Sequence, residues 1–124
     1  MAGRHWNDQN AIEGANANGS YRLYPNGNLW CWTDIELTQI DSTTLQATWT
    51  YPLEFAENPR LVMMQSATRD VTAQPFNVVN PQPAANGIST TQAVLQLQAA
   101  AGLDTFDVGD SWTVHVLAIG EAAP

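Results

Sequence analysis

Residues 44–51, Thr-Leu-Gln-Ala-Thr-Trp-Thr-Tyr, alternate without a break between apolar and uncharged polar side chains. Leu45, Ala47, Trp49 and Tyr51 fall on one side, and Thr44, Gln46, Thr48 and Thr50 on the other. An extended chain sorts that pattern into one dry and one wet surface, because its successive side chains point to opposite faces. A helix would wind both sets around its circumference. The segment is therefore read as a half-buried antiparallel strand. Pro52 closes it, since proline has no N–H to offer a ladder.

The same period recurs along the chain. Tyr21–Tyr24 and Asn28–Thr33 flank Pro25-Asn26-Gly27. Proline presets one turn dihedral, and Asn-Gly tolerates positive φ, so the pair reads as a hairpin. Glu36–Ile40 and Arg60–Ala67 are further strands. In residues 111–120, Trp112, Val114, Val116 and Ala118 oppose Thr113, His115, Leu117 and Ile119. Residues 88–101 are rich in helix-forming Ala and Gln, yet Ala93, Leu95, Leu97 and Ala99 keep period 2 and argue for a strand. Residues 70–83 hold three prolines and read as loop or short strands, with Val78-Val79 as the strand fragment. The expected fold is all-β, an antiparallel β-sandwich with Greek-key-like connections. Residues 1–19 lack apolar periodicity and alternate Asn, Ala and Gly, which reads as a short N-terminal arm or linker before a domain spanning 20–124.

Three segments break the pattern of one dry face. Residues 29–32, 61–64 and 116–119 are apolar on both sides. A two-layer sandwich of 124 residues has one interior, so the second apolar face needs a cover. A homo-oligomer is the expectation, because obligate interfaces resemble a core cut in half.

Charge narrows the partners. The chain has four arginines, no lysine and 12 acidic residues, for a formal net charge of -8. So few cations cannot neutralise a phosphate backbone, which sets nucleic acid aside. No apolar run approaches the ~20 residues of a membrane-spanning helix, and no membrane insertion is expected. The single Cys31 can make neither an internal disulfide nor a structural zinc site. Set between Trp30 and Trp32, it reads as an inert buried thiol.

Catalytic constellations are sparse. His115 lies between two valines on a strand, where a structural role is the commoner one, and His5 lies in the arm. Asp104, Asp107 and Asp110 have a spacing that could supply part of an oxygen shell for a hard cation, but the segment matches no calcium loop, and the favoured reading is a polar loop with Asx turns and no metal. Nothing brings Glu54 and Glu57 to a partner carboxylate for hydrolysis. No metalloprotease, nucleophile-elbow or phosphate-loop motif is present. The expectation is a protein without cofactor that is not an enzyme. Aromatic rings beside abundant amides are the more promising functional surface, since a pyranose stacks on a ring while amides bind its hydroxyls. The candidates are Tyr24, Trp30, Trp49 and Tyr51.

Residues 18–33, NGSYRLYPNGNLWCWT, resemble the opening motif of the C-terminal domains of tailed-phage tail fibres. The likeness continues through Trp49-Thr50-Tyr51-Pro52 with Phe55 and Asn58-Pro59, and ends at the closing strand Trp112–Gly120. It covers residues 18–120 and brings no catalytic residue. It implies a β-sandwich knob that trimerises at a fibre end within a virion and touches a host surface glycan, its N-terminal arm docking on other tail components. The alternative is a capsid decoration or baseplate protein without receptor contact.

Overall fold

The computed structural model describes residues 11–70, 81–99 and 106–124. They form eight strands: β1 (Ile12–Asn16), β2 (Gly19–Leu23), β3 (Asn28–Asp41), β4 (Thr44–Thr50), β5 (Arg60–Asp70), β6 (Gln82–Ile88), β7 (Gln92–Gln98) and β8 (Ser111–Glu121). All pairings are antiparallel, and no helix occurs among the described residues. The expected all-β class is met.

The long strand β3 organises the sandwich-like arrangement. One of its edges pairs with β8 from Asn28 to Thr38. Its other edge pairs with β2 through Leu29–Trp32 and then with β4 from Thr38 onward. β3 therefore belongs to two halves, β1-β2-β3-β8-β5 and β3-β4-β7-β6. Two separate strands were expected here. They are one because Leu29, Cys31 and Leu37 keep the same buried phase across residues 33–36, with no turn residue to break it.

Inward positions from both halves share one core, in which Leu29, Cys31, Leu37, Leu45, Leu95, Leu97, Val114 and Ala118 are wholly buried. The alternations read in residues 44–51 and 111–120 place Leu45, Trp49 and Tyr51, and Trp112, Val114, Val116 and Ala118, in that core.

Local chemistry sets the turns. Gly27 donates its N–H to the Tyr24 carbonyl at 2.9 Å, and the Asn28 N–H donates to Asn26 Oδ1 at 3.1 Å. Pro25-Asn26-Gly27 thus makes the expected hairpin turn between β2 and β3. Between β3 and β4, Asp41 Oδ1 accepts the Thr43 N–H at 2.9 Å, and that bond holds its carboxyl below the usual range. Ser89 organises the β6–β7 turn by accepting the Gln92 N–H at 3.1 Å.

Three further placements differ from the sequence reading. Residues 12–16, assigned to the arm, form β1 on the edge of β2; their pairing is a backbone matter that leaves no apolar period to read. β6, with Pro83 and Asn86 at φ 56, was not expected as a strand; among the described residues it pairs with β7 alone, and an edge tolerates proline. The strand expected over residues 88–101 is shorter, since residues 89–91 are spent on the turn. Val78-Val79 lies outside the described residues.

Candidate functional site

Strands β3, β8 and β5 lie side by side in close register, so their outward residues form cross-strand rows. The first row runs Trp30, Ile119, Arg60, with Arg22 of β2 beyond Trp30. The second runs Trp32, Leu117, Val62, and the third Asp34, His115, Met64. Trp30 and Trp32 remain about two-fifths exposed, Val62 half exposed, and Met64 60% exposed. Together they line an open groove of about 440 Å³ on the outer face of the sheet. The expectation that β3, β5 and β8 carry apolar side chains on both faces is met.

Polar side-chain pairs bound the groove. At one end Asp34 Oδ1 contacts His115 Nδ1. At the other, Arg22 pairs with Glu13 of β1. The Arg22 guanidinium also lies over the Tyr24 ring, 5.9 Å from its centroid, and Tyr24 meets Trp30 edge to face at 6.2 Å. Tyr24, Trp30 and Arg22 form one aromatic and cationic corner beside the β2–β3 turn.

The structure divides the four aromatic candidates. Tyr24 and Trp30 meet at the surface. Trp49 and Tyr51 are 2% and 3% exposed, so their rings have no free face for a sugar, and their assignment as ligand-binding residues is corrected to core. Their polar atoms serve the scaffold: Trp49 Nε1 donates to the Asn18 carbonyl at 2.7 Å, and the Tyr51 hydroxyl to the Gln92 carbonyl at 3.0 Å. Burial pushes the Tyr51 hydroxyl up to about 12. The apolar phase of residues 44–51 already placed them inward, whereas Trp30 and Trp32 fall opposite Cys31.

Asp110 is buried, and its Oδ2 accepts the Asp107 N–H at 2.8 Å, closing a turn whose Gly109 has φ 95. That is a structural use of the carboxylate; Asp104 lies outside the described residues, as do His5 and the first ten residues of the arm. Sequence reasoning missed Asp34. Its partner His115 is 81 positions away, and only the β3–β8 register joins them.

Cys31 is buried, and desolvation pushes its thiol up to about 11, against the opposing effect of a hydrogen bond with the Leu53 backbone. The folded state favours the neutral thiol. Its contribution to stability is therefore complete below the ordinary thiol range near ~8.5–9 and is lost as pH climbs toward the folded value. At pH 8 the folded chain is expected to resist iodoacetamide, with alkylation appearing only across the urea transition. Stoichiometric labelling of native protein within minutes would contradict the buried placement.

No protein-family model matches the chain, and no curated protein matches it either. Solved structures do. The chain is similar to the R1 pyocin fibre of P. aeruginosa, in a structure of its C-terminal part, with a TM-score of 0.56 and 18% identity over 89% of this chain and 28% of that one. An N-truncated R1-type pyocin tail fibre gives the same score and identity, over 89% of this chain and 84% of that one. The chain thus spans little more than a quarter of the longer fibre fragment. At this identity the likeness is one of fold, and the fold of this chain is that of an R1 pyocin tail-fibre domain.

Proposed function

We propose that the chain is a structural domain of a phage-tail-like fibre, placed at the host-contacting tip and working as a homo-oligomer, a trimer being the simplest closed form. The observation that supports this reading best is the exposed apolar face on a pyocin-fibre-like sandwich. A sheet that keeps tryptophan, valine and methionine bare in an acidic chain is built to be covered by protein. The role is one of attachment and assembly, not of catalysis. The N-terminal arm is its connection to other tail components.

Host contact is assigned to the corner of Tyr24, Trp30 and Arg22. An aromatic pair supplies stacking area for the apolar face of a pyranose, and the guanidinium, with Asn26 and Asn28 on the adjoining turn, supplies donors for its hydroxyls. Binding of the full chain to host cells and to a glycan array is expected, with Tyr24→Ala weakening it roughly three- to tenfold. A chain that binds no host cell and no glycan would return the reading to a decoration or baseplate protein without receptor contact.

A further inference from the structure

We infer that Asn86, in edge strand β6, is a site of spontaneous deamidation in the folded chain, converting to aspartate and isoaspartate well before the other Asn-Gly pairs react. The inference goes beyond attachment and assembly and holds whatever surface the chain contacts.

Asn-Gly occurs at residues 18–19, 26–27 and 86–87, and the first and last of these sit in the same tripeptide, Ala-Asn-Gly. Glycine has no Cβ to shield its own nitrogen, so the preceding asparagine amide lies open to attack. At Asn86 the Gly87 nitrogen adds to Cγ. The N–Cγ bond forms, the Cγ–Nδ2 bond breaks, and Nδ2 leaves as ammonia with the Gly87 amide proton. Water then opens the cyclic imide at either carbonyl. Opening at the side-chain carbonyl gives aspartate; opening at the main-chain carbonyl gives isoaspartate, which lengthens the backbone by a carbon. Either product adds a negative charge to an acidic chain.

Local sequence treats the pairs alike, and the fold separates them. Asn18 is pinned. Its carbonyl accepts the Trp49 Nε1–H at 2.7 Å, its N–H donates to Asn16 Oδ1 at 2.9 Å, and Gly19 pairs with Asn16 against the backbone of Trp32. Asn26 is held as well. The Gly27 N–H that would attack it donates to the Tyr24 carbonyl at 2.9 Å, and Asn26 Oδ1 accepts the Asn28 N–H at 3.1 Å. Asn86 lacks such restraints: it is exposed, and among the described residues no side-chain hydrogen bond engages it. The β6–β7 pairing passes from Pro83 opposite Leu95 to Ile88 opposite Ala93, so residues 84–87 bulge out across Val94 alone.

The same bulge demands the labile pair. Asn86 has φ 56, a conformation that asparagine adopts more readily than most side chains. Gly87 is packed so closely that an added Cβ would lie 2.8 Å from the Ala84 carbonyl oxygen. The extra carbon of isoaspartate falls among residues that the ladder already skips, so Pro83 and Ile88 keep their partners and the modified chain stays folded.

The test incubates the full chain in mildly alkaline buffer, with circular dichroism to verify folding, and follows each site by peptide mass. Cleavage after Arg4, Arg22, Arg60 and Arg69 puts Asn18, Asn26 and Asn86 in separate peptides, each with a single Asn-Gly pair. In the folded chain the Asn86 peptide is expected to gain the mass of an amide-to-acid conversion at least about tenfold faster than the other two, which react only through local opening. In urea the three are expected to convert at similar rates. Asn86→Gly keeps a residue suited to positive φ and is expected to abolish the early phase of ammonia release. Conversion of Asn18 or Asn26 as fast as Asn86 in folded protein would overturn the inference, as would an Asn86 that outlasts them. An Asn86 lead that persists undiminished in urea would also overturn it, because local sequence and not the bulge would then set the rate.

Discussion

Phe55→Ala is expected to lower the free energy of unfolding by about 3–5 kcal/mol, as large-to-small changes of buried aromatic rings do. Phe55 is 1% exposed, although it lies outside every strand, in the connection from β4 to β5. Its ring meets Tyr51 edge to face at 5.1 Å, and Tyr51 meets Trp49 in the same way, so three rings interlock. The Phe55 N–H donates to the Thr90 carbonyl at 2.9 Å, and the residue bridges to Ala122. The ring also rests on Gly120, where an added Cβ would lie 3.0 Å from Phe55 Cδ1. The backbone of Phe55 thus ties the β4–β5 connection to the β6–β7 turn and to Ala122, while its ring packs on Tyr51 and on Gly120 at the end of β8; removing the ring leaves a cavity between them. Domains of this size are stable by about 5–15 kcal/mol, so the change removes a large share. Urea denaturation checks it through the shift in midpoint at constant slope; a loss under about 1 kcal/mol would mean that the ring does not pack as described.

Gly19→Ala is the second large effect, with an expected loss of about 2–4 kcal/mol from two sources. Gly19 has φ +129, and an added Cβ would lie 2.6 Å from the Trp32 carbonyl oxygen and 2.9 Å from Thr33 Cβ. The dihedral costs an L-residue about 1 kcal/mol or more, and the contact costs about 1–3 kcal/mol because the carbonyl belongs to the backbone of β3 and cannot swing aside. Gly27 separates the two sources: its φ is +94, but a Cβ there would meet nothing within 4 Å. Gly27→Ala is therefore expected to cost about 1 kcal/mol, and a β-branched residue more. Thermal unfolding of both variants decides the matter; equal losses would show that the approach of Gly19 to β3 is not tight. The contact bears on the apolar face as well, since it holds the first residue of β2 against the backbone of Trp32.

Much of this molecule was legible in the sequence, because a strand's alternation is a local property. Residues 44–51 and 111–120 state which side chains face inward, and Pro25-Asn26-Gly27 states where the chain reverses. Two-sided apolar segments announced a second surface in need of cover, and the inward phase of residues 44–51 already separated Trp49 and Tyr51 from Trp30 and Trp32. A choice of sugar-binding residues by type alone mixed the two groups, and burial separated them. β1 and β6 left no periodic mark, since they are held by backbone pairing at sheet edges and not by an apolar face.

The sequence by itself determined the all-β class, the hairpin turn and the excess of greasy surface, since each depends on neighbours one to three residues apart. Only the tertiary structure decided that β3 runs unbroken through both halves, that Asp34 finds His115, and that tryptophan, leucine and valine from three distant segments line up in one row. Register between strands is a long-range property, set by the packing of the whole core, and no single segment carries it.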